Sequence, residues 1–147
     1  MLRRLVLTAT ASVATLVVTA PGASALGPLP LPLLQEESRD RLTVTTSHTG
    51  NPKADGTYEL TCGPDGGTHP EAEGACDRLD ELGKNGRDPF APVGQDRMCT
   101  QQYGGPATAR ITGTWHGHPV DTSFDRSNGC EIGRWRAMEP VLPTARV

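Results

Sequence analysis

The stretch CGPDGGTHPEAEGACDRL at residues 62–79 decides the plan of this chain, because it sets two cysteines on either side of a turn and then runs into a helix. GPDGGTHP is dense in residues that interrupt regular structure, so the backbone must change direction there. Beyond it Ala72, Ala75, Cys76, Leu79 and Leu82 recur at helical intervals, acids stand early and Gly83 follows the last apolar position. This spacing predicts one amphipathic helix over residues 71–82, with Cys76 on its apolar face. Upstream, RLTVTT from Arg41 and GTYELTC at 56–62 alternate and are rich in β-branched residues, and the turn-rich NPKADG separates them. They read as two antiparallel strands joined by a loop, and a bond from Cys62 to Cys76 would staple the helix to the second. Downstream, residues 107–115, 118–124 and 131–138 supply three further strand candidates, divided by turns such as HGHP and RSNG. The sum is an α+β domain of about five strands and one or two short helices.

Composition narrows the class. The 147 residues carry 14 basic and 17 acidic side chains, a net charge of −3, which removes the basic surface that nucleic acid requires. Seventeen glycines and 13 prolines imply many turns, and six aromatics imply a modest interior. Arg3 and Arg4 precede an apolar run over residues 5–18, and the small triplet Ala23, Ser24, Ala25 follows Pro21 and Gly22. Residues 1–25 therefore read as a secretory signal peptide. Its removal takes away two arginines and no acid, leaving −5 and no segment for a membrane. Residues 26–40 hold three prolines and read as a flexible arm. Residues 41–147 are the folded domain.

Export to an extracellular, oxidising space gives the four cysteines their meaning: two disulfides. Three pairings are open. Cys62 with Cys76 and Cys99 with Cys130 is favoured because it nests no loop within another, and each closure contributes roughly 3 to 4 kcal/mol on loop-entropy grounds. No cysteine pair has the short gap of a zinc site, so no metal and no cofactor is expected.

Enzyme chemistry finds little footing. There is no G-x-S-x-G, and Ser38, Ser47, Ser123 and Ser127 stand in no recognisable nucleophile setting. His116 and His118 form an H-x-H pair without a third ligand or base and read as a turn pair. His48 and His69 read as ring nitrogens bonded to nearby backbone. More informative is MCTQQYGGP at 98–106, polar, lacking core-facing alternation and tied at Cys99. An exposed segment restrained in this way suits a protease-binding loop, since a segment ordered beforehand loses little entropy on association.

The residues at 62–79 also resemble the signature of the Streptomyces subtilisin inhibitor family. Cys62 and Pro64 form its C-x-P, Gly67, His69 and Pro70 its G-x-H-P, and Ala75, Cys76 and Leu79 its A-C-x-x-L. MCTQQY is similar to the family's reactive-site segment, and Trp115, Gly117, Val120, Asn128, Cys130 and Glu131 are similar to its closing elements. The resemblance spans residues 41–131. It implies a secreted serine-protease inhibitor with a five-stranded antiparallel sheet, two helices, the favoured disulfide pairing and a homodimer formed through the sheet. Carried across, Cys99 takes P3, Thr100 P2, Gln101 P1, Gln102 P1′ and Tyr103 P2′, so the scissile bond is Gln101 to Gln102. Asn128 matches the residue whose side chain braces the loop by hydrogen bonding.

Departures are informative. Gln101 stands where relatives place Met, Lys or another long residue, and burying its amide unmatched costs about 1 to 3 kcal/mol. Trypsin and chymotrypsin are then poor targets, and subtilisin-like proteases the expected partners. GGP after Tyr103 replaces Asp-Pro and implies added backbone freedom. Arg41 replaces an apolar residue on the sheet, and Trp135 is expected to fill packing that the divergent C-terminal sequence gives up, on a strand cut short by Pro140 and Pro143. The alternative to inhibition is a binding module of the same fold, with Gln101 and Gln102 as acyl donors for an extracellular transglutaminase.

Overall fold

A computed structural model describes residues 40–146; the predicted signal segment and residues 26–39 of the predicted arm lie outside the described residues. Asp40, read as the end of that arm, opens the first strand instead. β1 (Asp40–Ser47) and β2 (Gly56–Cys62) pair antiparallel, Leu42 opposite Leu60 and Val44 opposite Tyr58, as the alternation predicted. The loop between them is fastened by Asp55, whose carboxylate accepts from the Thr49 hydroxyl at 2.7 Å and from the backbone N–H groups of Thr49 and His48 at 3.0 and 3.1 Å. These bonds, the Thr49 hydroxyl first, hold the Asp55 carboxyl below its ordinary range.

Next come the two-residue β3 (Gly66–Gly67), the helix α1 (Ala72–Gly83) and a single 3₁₀ turn (Lys84–Gly86). β4 (Thr108–Trp115) and β5 (His118–Phe124) follow, then the helix α2 (Gly129–Ala137). The sheet has five strands in the order β3-β2-β1-β4-β5, antiparallel throughout. Its fifth member is not the predicted strand at 131–138. That segment is α2, and the fifth place goes to β3, which pairs with Leu60 and Thr61.

The helix wins at 129–137 because its start is capped and its period is helical. The Asn128 side-chain oxygen accepts from Cys130 N at 2.9 Å and Glu131 N at 3.0 Å, satisfying two amides that have no partner inside the helix. Ile132 and Trp135 are buried one turn apart, with Met138 buried just beyond the helix, while Glu131 and Arg134 pair at i,i+3. Trp135 is fully buried, as expected for a packing residue, and its indole N–H donates to Pro143 O at 2.9 Å.

One face of the sheet is covered. Leu42, Val44, Leu60, Ala109, Ile111, Val120 and Phe124 point inward, where Ala75, Cys76 and Leu79 of α1, Trp135 of α2 and the following Met138, Val141 and Leu142 complete the core. The other face is polar, with Thr43, Thr45, Thr57, Thr61, Thr108, Thr112 and Thr114 in the outward register and a bidentate Arg110–Asp121 pair. Between the 3₁₀ turn and β4, Phe90 enters the core and packs edge-on against Trp115, whereas the next residue, Ala91, is exposed. Among the described residues no helix is long and apolar enough to cross a membrane.

Candidate functional site

Residues 98–106 cross the surface without joining the sheet, and their restraint comes from the strip 126–130 behind them. Cys99 is bonded to Cys130, with Cα atoms 5.3 Å apart, and the Thr100 carbonyl accepts from Gly129 N at 3.0 Å. On the far side, Gly104 N donates to the Arg126 carbonyl at 2.8 Å. Gln101, Gln102 and Tyr103 lie between these two hydrogen bonds, and all three are exposed. The large apolar side chains exposed among the described residues are Met98, 98% accessible, and Tyr103, 65% accessible, and they flank the pair of glutamines. Exposed apolar groups around a restrained backbone form a surface that can gain by covering.

The strip is stiff because α2 begins in it. Asn128 caps the helix, the Ser127 N–H and hydroxyl both donate to Asp125, and Arg134 fastens the helix to its surroundings. The Arg134 guanidinium lies 4.0 Å above the Phe124 ring and donates to the carbonyls of Phe90, Ala91 and Ser123.

Two glycines let the segment lie close to the strip. A Cβ on Gly129 would run into the Thr100 hydroxyl, and one on Gly104 would come within 2.7 Å of Ile132 Cγ1 and 3.1 Å of Arg126 Cβ. Gly104 and Gly105 are buried. The expectation that GGP loosens the segment is therefore corrected: Gly104 is required for close approach and is held by a hydrogen bond. Asn128 needs a correction as well. Its side chain is occupied by Cys130 N, Glu131 N and, at 3.5 Å, the Ser127 hydroxyl, and not by the segment in front of it. Its support is indirect, through the helix end that presents Gly129 N. The structure thus brings Cys99, Thr100, Gln101, Gln102, Tyr103, Asn128 and Cys130 into one region. Gly104, Arg126, Gly129 and Ile132 belong there too, and sequence reasoning missed them.

The other disulfide, Cys62–Cys76, joins β2 to α1 as favoured, with Cα atoms 5.7 Å apart. Asp65 lies within 4.8 Å of both sulfurs, but bonded sulfurs offer no thiolate to a metal. The His69 ring is structural: Nδ1 accepts from Glu71 N, so Nε2 carries the proton and donates to Val141 O at 3.1 Å. His48 meets Asp55 through its backbone. His116 stacks on Trp115 with its Nε2 3.7 Å from carboxylate oxygens of both Asp40 and Asp80, and His118 is exposed. The Ser127 hydroxyl donates to Asp125 with no histidine in the set. What the region can do chemically is offer the Gln101–Gln102 peptide bond with both flanks tethered to one strip.

Comparison with known proteins bears on this geometry. The sequence model of the Subtilisin inhibitor-like family matches residues 37–128. The chain is 33% identical over 100 residues to subtilisin inhibitor-like protein 1 of Streptomyces cacaoi, a match covering 65% of this chain and 87% of that one. It is 36% identical over 77 residues to the subtilisin inhibitor of Streptomyces violaceus, covering 50% and 49%. Among solved structures it is similar to a chain in the crystal structure of Streptomyces caespitosus sermetstatin in complex with Bacillus licheniformis subtilisin, with 21% identity, a TM-score of 0.43 and 69% and 98% coverage.

Proposed function

This chain belongs to the subtilisin inhibitor-like family, and on that premise we propose that it is a secreted inhibitor that subtilisin-like serine proteases bind as they would a substrate. The observation that carries this reading is the double tether around Gln101 and Gln102, the disulfide and Gly129 N–H on one side and Gly104 N–H on the other. A protease serine attacks the Gln101 carbonyl, forming an ester there and freeing the amine of Gln102. Both tethers hold that amine beside the ester, so it attacks in turn, the serine is expelled and the peptide bond returns. Proximity of this kind favours return over hydrolysis. Met98 and Tyr103 supply apolar contact on either side of the bond, and Asn128 acts by holding the start of α2. Acyl donation by the glutamines to a transglutaminase gains nothing from the relatives, which are named as inhibitors.

Titration of active subtilisin with the purified oxidised protein tests the reading. Loss of activity at one equivalent is expected, with intact protein recovered from the complex. Secretion is supported by the pattern at 1–25 and by two closed disulfides; N-terminal sequencing of exported protein should begin at Leu26. Pairing of two copies through the outer sheet face is supported by its threonine rows, which share that face with Arg41, Glu59 and the paired Arg110 and Asp121. Sedimentation equilibrium should return twice the chain mass, and a monomer at all concentrations removes that pairing.

A further inference from the structure

Arg126 lies beneath the segment just after the proposed scissile bond. The residue is only 6% exposed and forms no ion pair among the described residues. Burying a guanidinium without a counter-charge is costly, so a residue that merely filled this space would be apolar. Instead one arm of the cation reaches backbone: Nη1 donates to Ala145 O at 2.7 Å, while the buried Nε has no hydrogen-bond partner among the described residues. Ala145 packs against the core, and the next residue, Arg146, donates its N–H to Thr49 O at 2.9 Å. Arg126 is thereby fixed from below, while its carbonyl accepts Gly104 N–H from above and its Cβ closes the space over Gly104. A hydrogen bond from a charged donor is stronger than a neutral one.

We infer that Arg126 is a positioning residue for inhibition: it anchors the primed side of the reactive segment to the Ala145 carbonyl, so that the Gln102 amine stays in reach of the Gln101 acyl group. This rests on the inhibitor reading above. The Cys99 disulfide restrains the P side, and Arg126 performs the equivalent task on the P′ side without a covalent bond.

The test compares Arg126→Met, which removes the donor at similar volume, with Arg126→Lys, which keeps a cation. Leu79→Ala in α1 serves as a destabilised control far from the segment. Three quantities are followed: the rate at which subtilisin accumulates protein cut between 101 and 102, hydrogen exchange at the Gly104 amide, and the thermal midpoint. Arg126→Met is expected to speed cleavage about tenfold and to raise Gly104 exchange, with Arg126→Lys recovering most of both. Leu79→Ala is expected to lower the midpoint and leave both readouts unchanged. Should Arg126→Met not fold, a chain ending at Thr144 removes the acceptor and carries the same comparison. Unchanged Gly104 exchange in the donor or acceptor variant overturns the inference, as does equal acceleration by Leu79→Ala. If the unaltered protein fails to inhibit, the functional reading falls, and Gly104 exchange still decides the role of Arg126.

Discussion

The two disulfides are alike in Cα separation, 5.7 and 5.3 Å, and opposite in setting. Cys62–Cys76 closes 14 residues and has one half in the core, where Cys76 is 4% exposed beside Ala75 and Leu79. Cys99–Cys130 closes 31 residues at the surface, next to Gln101, Gln102 and Tyr103, none of which has apolar packing to hold it. At the first site burial already presses α1 onto β2, so the crosslink repeats what packing does. At the second it substitutes for packing. A covalent restraint matters most to function where the chain must stay exposed and still be ordered.

Separating the two sites should give the largest effect. Replacing Cys99 and Cys130 together by Ser is expected to convert the inhibitor into a substrate, weakening inhibition about 100-fold or more, read from inhibition constants and from mass spectra of the cut chain. Replacing Cys62 and Cys76 by Ala should cost about 3 kcal/mol of stability in urea unfolding and leave the inhibition constant at 25 °C unchanged. If both pairs damage inhibition equally, the contrast is gone.

A side chain within the restrained stretch should alter specificity rather than restraint. Gln101→Met is expected to tighten subtilisin binding by about 1 to 3 kcal/mol through relief of amide burial, and Gln101→Lys to create trypsin inhibition. Titration of both enzymes with both variants reads the change, and no change in either moves the reactive bond elsewhere. Gly104→Ala, which forces a methyl against Ile132, should destabilise the fold by about 1 to 3 kcal/mol and speed cleavage as well.

The smallest effect is expected at the 48–55 loop, a third exposed stretch, held by the Asp55 carboxylate. Hydrogen bonds from Thr49 and His48 lower the Asp55 pKa below the 3.8 of a free aspartate. The folded state therefore binds this proton less readily than the unfolded one. Its contribution is complete above that ordinary value and is lost as pH falls through the lowered folded one. Asp55→Asn should flatten part of the acid limb of a stability profile without changing inhibition.

Much of this was legible in the sequence. The alternation in 41–46 and 56–62, the helical spacing from Ala72 to Leu82 and the unnested cysteine order each state a local preference that packing then agreed with. At 131–138 the turn RSNG and the apolar residues that follow suggest a strand, but Asn128 with Glu131 three residues on is a helix-start signal, and the spacing of Ile132, Trp135 and Met138 is helical. Gly104 was read as freedom because sequence shows that a side chain is missing and hides what fills its place. Arg126 was invisible for a related reason: its partners, Gly104 and Ala145, are backbone groups 22 and 19 residues away.

Tethers on both flanks should make cleavage at 101–102 slow and reversible. The direct measurement is to incubate the oxidised protein with a catalytic amount of subtilisin and follow intact and cut chain to equilibrium, starting from each. Both mixtures should converge on a common ratio, with a single new N-terminus at Gln102 and enzyme silenced while inhibitor is in excess. Rapid, complete digestion of the intact chain with the protease still fully active contradicts it.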